Sequence, residues 1–248
     1  MDFPALGPGA FDSLRAYFAG LLASLPQKPD AILVMSAHWE TEGFAVSAAA
    51  KPGMIYDYTG FPEHTYQLSH PAPGSPALAQ TAQRLLKSAG LATELDAVRG
   101  FDHGVFVPMM IVNPLADIPT VSLSVQRTLD PATHIAAGAA LAPLRDSNIL
   151  IIGSGSSYHN LRDFFAGSAQ AAEAFDGWLD ETITLTDAAE RHRRLINWAD
   201  APGGQASHPR AEHLIPLLTA AGAGSTDMAR RDFHALIGNK PFACFRFG

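Results

Sequence analysis

Short apolar runs alternate with helical stripes along this chain. Ala31–Ser36 (AILVMS) and Asn148–Ile152 (NILII) are unbroken apolar runs of strand length, which predicts buried strands. The second run is ended by Gly153-Ser154-Gly155. Gly43–Ala48 reads as a partner strand. Val121, Leu123 and Val125 alternate with Ser122 and Ser124, the period of a half-buried strand. Phe242–Phe247 reads as a last strand.

Helix signals are stronger. Ser75 followed by Pro76 marks a helix start, Leu78, Ala82, Leu85 and Leu86 form the apolar stripe, and Gly90 stops it. Asp130-Pro131 repeats the start signal before Ile135–Leu144. Asp12–Leu25, Ala169–Thr184, Ala188–Trp198 and Pro209–Ala221 also read as helices. This alternation predicts an α/β fold: a single domain over 1–248, with a central, mostly buried mixed sheet flanked by helices.

Composition narrows the chemistry. Hydrophobic residues make up 47% of the 248 and charged residues 17%, which suits a globule with a sizeable core and little solvated tail. Ten histidines stand against one cysteine, Cys244. That balance excludes disulfide scaffolds, cysteine-based zinc modules and thiolate-held iron–sulfur clusters, and leaves histidine as ligand or proton carrier. A net charge of -7 argues against nucleic-acid or anionic-membrane binding, and the densest basic cluster, Arg191–Arg194, reads as a solvated helix face. No apolar run approaches a membrane span and the first residues lack a signal-peptide pattern, so the expected location is the cytoplasm.

In open α/β sheets, chemistry gathers at the carboxyl ends of strands. His38 follows the first strand in SAHWE, with Glu40 placed to orient it. His159 follows the Asn148–Ile152 strand in a Gly/Ser-rich loop that fits neither a phosphate cradle nor a nucleophile elbow. Asp102 precedes His103 in GFDHG, where an acid beside an imidazole can hold its tautomer for acid–base work. Glu212 and His213 are adjacent at the start of the last helix, so one would ligate and the other serve elsewhere. Each also has a plain structural reading: a carbonyl-bonded core histidine, a polar turn, or a helix start with Pro209 at its first position. His64, His70, His134, His192 and His234 read as structural or surface residues.

Five segments occur in one order: SAHWE from Ser36, YDYTGFPEHTYQLSHPAPGSPALA from Tyr56, GFDHGVFVPM from Gly100, HNLRDF from His159 and HPRAEHLIPLL from His208. Together they resemble the class III extradiol ring-cleavage dioxygenases, in the branch of the DOPA 4,5-dioxygenases and their bacterial relatives, over nearly the whole chain. The resemblance implies an oxidoreductase in which a mononuclear non-haem Fe(II), or zinc in the same site, opens a catechol-type ring with O2. It implies His38 and His213 as metal ligands, His159 as the acid–base histidine and His103 as a second pocket histidine. Asp102, Glu212 and Tyr56 would support the site or line the substrate pocket. Tyr58, Phe61, Tyr66 and Phe106 offer further aromatic wall, and Arg99, Arg162 and Arg210 are candidate partners for a substrate carboxylate.

The family pattern opens with a strand and a histidine–glycine motif that supplies the first ligand. MDFPALGPGAFDSL resembles the segment downstream of it, so the third ligand is expected upstream of residue 1. A zinc-dependent hydrolase on the same scaffold and a non-catalytic relative with an incomplete metal site are the competing classes. The expected partners are a small aromatic diol and O2, with a homodimer as the default assembly.

Overall fold

The computed structural model describes residues 6–165 and 167–248. In chain order the elements are α1 (Asp12–Gly20), β1 (Ala31–Thr41), β2 (Phe44–Ser47), α2 (Pro76–Ser88), β3 (Thr93–Asp96), α3 (His103–Val112), β4 (Thr120–Gln126) and α4 (Pro131–Leu141). They continue with β5 (Ile149–Ser154), α5 (Gln170–Ile183), α6 (Ala188–Ile196), α7 (Gly204–Ser207), α8 (Ile215–Ala223), β6 (Ala229–Ile237) and β7 (Lys240–Phe247). Five strands form a mixed sheet in the order β3-β2-β4-β1-β5, and β6-β7 is a separate hairpin. β1 runs parallel to β4 and β5, β2 runs parallel to β3, and β2 meets β4 antiparallel.

β1 explains its own apolar run. Leu33 and Met35 enter the core cluster shared with α2, α4 and α8, while Ile32 and Val34 enter the opposite cluster with α3. A strand covered on both faces needs apolar residues at every position. The helix starts hold as the sequence predicts them. Ser75 accepts from the Leu78 amide and Asp130 from the Thr133 amide, and Gly90 has φ +79°. Among the described residues no helix is long and apolar enough to cross a membrane.

Four expectations change. β4 is not half-buried: Ser122 and Ser124 are fully buried beside β2. The Ser124 hydroxyl accepts from the Ala45 amide and the Ser122 amide donates to the Ser47 hydroxyl, so hydroxyls replace ladder bonds where only Val46 and Leu123 are paired. β5 is the edge strand, half-buried along its length because its outer side faces a groove. Arg191 is buried rather than solvated, its guanidinium donating to the carbonyls of Leu185, Gly224, Ser225 and Asp227; Arg193 and Arg194 pair with Glu190. The last helix starts at Ile215, not Pro209, so Glu212 and His213 sit on the turn before it.

Candidate metal centre

Four loops meet at the carboxyl ends of β1 and β5. The first is a bulge within β1. Ser36 pairs with Ser124 and Glu40 with Val125, so Ala37, His38 and Trp39 have no counterparts on β4. A bulge re-aims a side chain, and here it turns His38 out of the ladder. His103 occupies the first position of α3, an element the sequence hides because HGVFVPMMIV is apolar on all sides and carries Pro108. A Cβ on Gly104 would lie 2.6 Å from the Ser36 hydroxyl and 3.0 Å from His38 Cδ2, so only glycine lets the two segments approach this closely.

His159 lies five residues beyond β5, its amide donating to the Ser207 carbonyl. Ser156 donates its amide to the His213 carbonyl, and a Cβ on Gly155 would sit 2.1 Å from that same oxygen. The small residues of this loop therefore serve backbone packing around His213 rather than phosphate binding.

These elements bring His38, His103, His159 and His213 into one row. His38 and His103 have ring centroids 3.9 Å apart, and His159 stacks on His213 at 3.4 Å. The middle pair is joined by Nε2 atoms 3.1 Å apart. A carboxylate flanks each end. Asp57 Oδ1 accepts from the His103 amide at 3.0 Å and faces His103 Nδ1 at 2.8 Å, with Oδ2 3.6 Å from His38 Nδ1. Glu212 Oε1 lies 3.2 Å from His213 Nδ1 and 3.3 Å from His159 Nδ1.

Burial disfavours the charged form of the two central rings. Burial, then the neighbouring His103 and His213, push His38 down to about 3. Burial likewise lowers His213, against the opposing pull of Glu212. Burial alone would raise Glu212 and Asp57, yet hydrogen bonds from the histidines outweigh it and hold both carboxyls below their ordinary range. His213 Nδ1 is within hydrogen-bond reach of Glu212 and His38 Nδ1 faces Asp57 at 3.6 Å, while the two Nε2 atoms face each other. Metal–nitrogen bonds of about 2.05 Å to both would meet at an angle of roughly 100°. The donor set thus fits a divalent ion, and neutral imidazole with hard oxygen is the chemistry of iron and zinc sites. Groups of His38, Asp57 and His103, and of His159, Glu212 and His213, each hold three donor atoms within 4.8 Å of one another.

Two sequence expectations are re-partnered. Asp102 does not hold His103. It is fully buried, accepts from the Ser36 hydroxyl and pairs with Arg99, bracing the start of α3 from behind. Glu40 does not orient His38 but takes a two-pronged bond from Arg210, which also lies 3.5 Å from Glu212. The residue missed is Asp57. It stands alone between two tyrosines with no local pattern, and only the segment's resemblance pointed to that stretch.

Tyr56 hydrogen-bonds the Leu68 carbonyl and clusters with Tyr58, Tyr66 and Phe106; Tyr58 meets His103 edge-on at 5.5 Å. Aromatic faces therefore border one end of the histidine row.

Comparison with known proteins agrees with this geometry. The model for the catalytic LigB subunit of aromatic ring-opening dioxygenase matches residues 9–239. A 4,5-DOPA dioxygenase extradiol of Portulaca grandiflora is 44% identical over 205 residues, 80% of this chain and 74% of that protein. The protein of the same name from Escherichia coli K12 is 40% identical over 200 residues, 79% of this chain and 73% of that one. A crystal structure of an uncharacterized Escherichia coli K12 protein superposes with a TM-score of 0.80 at 34% identity, covering 94% of this chain and 92% of that one.

Proposed function

Because the chain belongs to the LigB family of aromatic ring-opening dioxygenases, we propose that it is an Fe(II)-dependent extradiol dioxygenase that cleaves a catechol beside its two hydroxyls and incorporates both atoms of O2. The observation that carries this reading is the facing pair of Nε2 atoms on His38 and His213, with His159 stacked alongside. His38 and His213 would hold the iron, which supplies Lewis acidity toward the diol and the redox capacity for O2.

The chain's own residues do the rest. Glu212 holds Nδ1 of His213 and His159, leaving their Nε2 atoms free for work. His159 takes a catechol proton at Nε2 and later returns one to the opening ring, the acid–base work that imidazole commonly does. Asp57 fixes His103 with its Nε2 turned away from the carboxylate, where it can bond the diol or oxygen. The tyrosines beside His103 supply a flat apolar wall for the ring.

A groove of about 650 Å³ runs along the open edge of β5, is walled opposite by Ala243–Gly248, and reaches His213. An extended segment seated there would pair with β5 close to His213.

The test is O2 uptake after anaerobic Fe(II) loading, with a panel of catechols. The expected result is one O2 consumed per ring and a yellow ring-opened product. Metal binding with no O2 uptake on any catechol, or ester turnover with bound zinc, overturns the reading.

A further inference from the structure

Lys240 is fully buried, an expensive position for an ammonium unless something is gained by it. Its Nζ donates to Asp163 Oδ2 and to the Ser168 carbonyl, both at 2.9 Å, and sits 5.5 Å over the ring of Tyr158. The Tyr158 hydroxyl donates to the same Asp163 oxygen at 3.0 Å. Asp163 in turn donates its amide to Asn160, whose side-chain amide holds the Ala206 carbonyl. The neighbouring hairpin residue Asn239 donates to the Gly167 carbonyl.

Three members of this network are near neighbours of His159 in sequence: Tyr158 precedes it, Asn160 follows it, and Asp163 lies four residues on. The hairpin β6-β7 also meets this segment through the Ala243 amide, which donates to the Ser157 hydroxyl, and through Phe242, which packs near Tyr158 and Phe164; Lys240 adds the charged contact. We propose that Lys240 is a positioning residue. Its ammonium clamps the Tyr158–Asp163 segment to the hairpin and so holds His159 stacked on His213. This rests on the reading of His159 as the acid–base residue. The neighbours carry the same logic. Tyr158 and Phe164 of the segment pack with Ile237 and Phe242 of the hairpin, and the clamp at Asp163 adds a charged tie between those two apolar anchors.

Lys240→Met tests the clamp, since it removes the buried charge, leaves Asp163 partly exposed to water, and keeps an apolar chain over Tyr158. Arg162 lies inside the clamped segment, so tryptic cleavage there, giving fragments 1–162 and 163–248, reads its opening directly. The expected result is about tenfold faster cleavage at Arg162 with other tryptic sites unchanged. kcat for ring cleavage falls about tenfold, with KM and metal content unaltered, because a small misplacement of a proton-transfer group costs rate and not binding. Tyr158→Phe removes a single hydrogen bond and keeps the fold, and it is expected to move both readouts in the same direction by about threefold. Wild-type cleavage at Arg162 and wild-type kcat in either variant overturn the proposal. If the unaltered protein opens no catechol, the dioxygenase reading fails, and the cleavage rate at Arg162 still decides the clamp.

Discussion

The Nε2 atoms of His38 and His213 stand 3.1 Å apart although the residues are 175 positions apart in the chain. A proton or a cation between the two nitrogens suits that spacing. Replacing either by alanine is expected to lower bound iron or zinc at least tenfold, measured by elemental analysis after loading and desalting. His64→Ala, in the loop segment Glu63–Gln67, is the control and should bind as the unaltered protein does. Full occupancy in the His38→Ala/His213→Ala double variant would sink the proposed seat.

His159 shares Glu212 with His213 but lies one stacked ring farther from His38. His159→Ala is expected to reduce turnover by a factor of about 10² to 10⁴ while metal content stays near that of the parent. Loss of metal in this variant would move His159 from proton carrier to ligand.

Asp57 and Asp102 make a contrasting pair. Asp57 touches His103 from across the loop, whereas Asp102 is bonded to its neighbour in sequence only through the backbone and turns inward to Ser36 and Arg99. Asp57→Asn is expected to cut kcat about 10- to 100-fold with little change in melting temperature. Asp102→Asn should do the reverse, costing roughly 1–3 kcal/mol of stability because it disturbs a buried charge-assisted network. Thermal melts and kinetics on both variants separate the two; equal stability losses would mean that Asp57 is structural as well.

Acid should weaken the fold through its buried histidines. His208 is held to about 4 by burial, with its Nε2 at the Ser157 carbonyl, and burial also lowers His134. Between the ordinary imidazole value of about 6.5 and the folded value, the unfolded chain binds a proton that the folded chain refuses. Stability therefore rises with pH across that window and is lost as pH falls through it, by at most about 1.4 kcal/mol per pH unit for His208. Melting temperature should drop from pH 7 to pH 5, and His208→Gln should flatten that drop. An unchanged slope in the variant would place the proton uptake elsewhere.

Much of the fold was legible because burial writes a period into the residues. AILVM lies between two apolar layers and is apolar throughout, and Ser75-Pro76 and Asp130-Pro131 cap their helices in their own sequence. β6 was not marked by its sequence, where a bulge between Arg231 and Phe233 breaks the period. α3 was not marked either, since a helix covered on all sides loses its stripe. The serines of β4 misled for a related reason: a small hydroxyl on a strand suits water or a backbone amide equally, and only the position of β2 chose the second.

The sequence by itself determined the alternating α/β order, the poverty in thiol that limits the site to nitrogen and oxygen donors, and two of the row's histidines, His38 and His159, near strand ends. Tertiary structure alone decided their partners. Local pattern cannot report which carboxylate a ring will meet, because that depends on how loops from β1, β2 and β5 converge. So His103 is held by Asp57 from a distant loop and not by adjacent Asp102, Glu212 serves two rings at once, and a lysine in the final hairpin reaches back to the segment that carries His159.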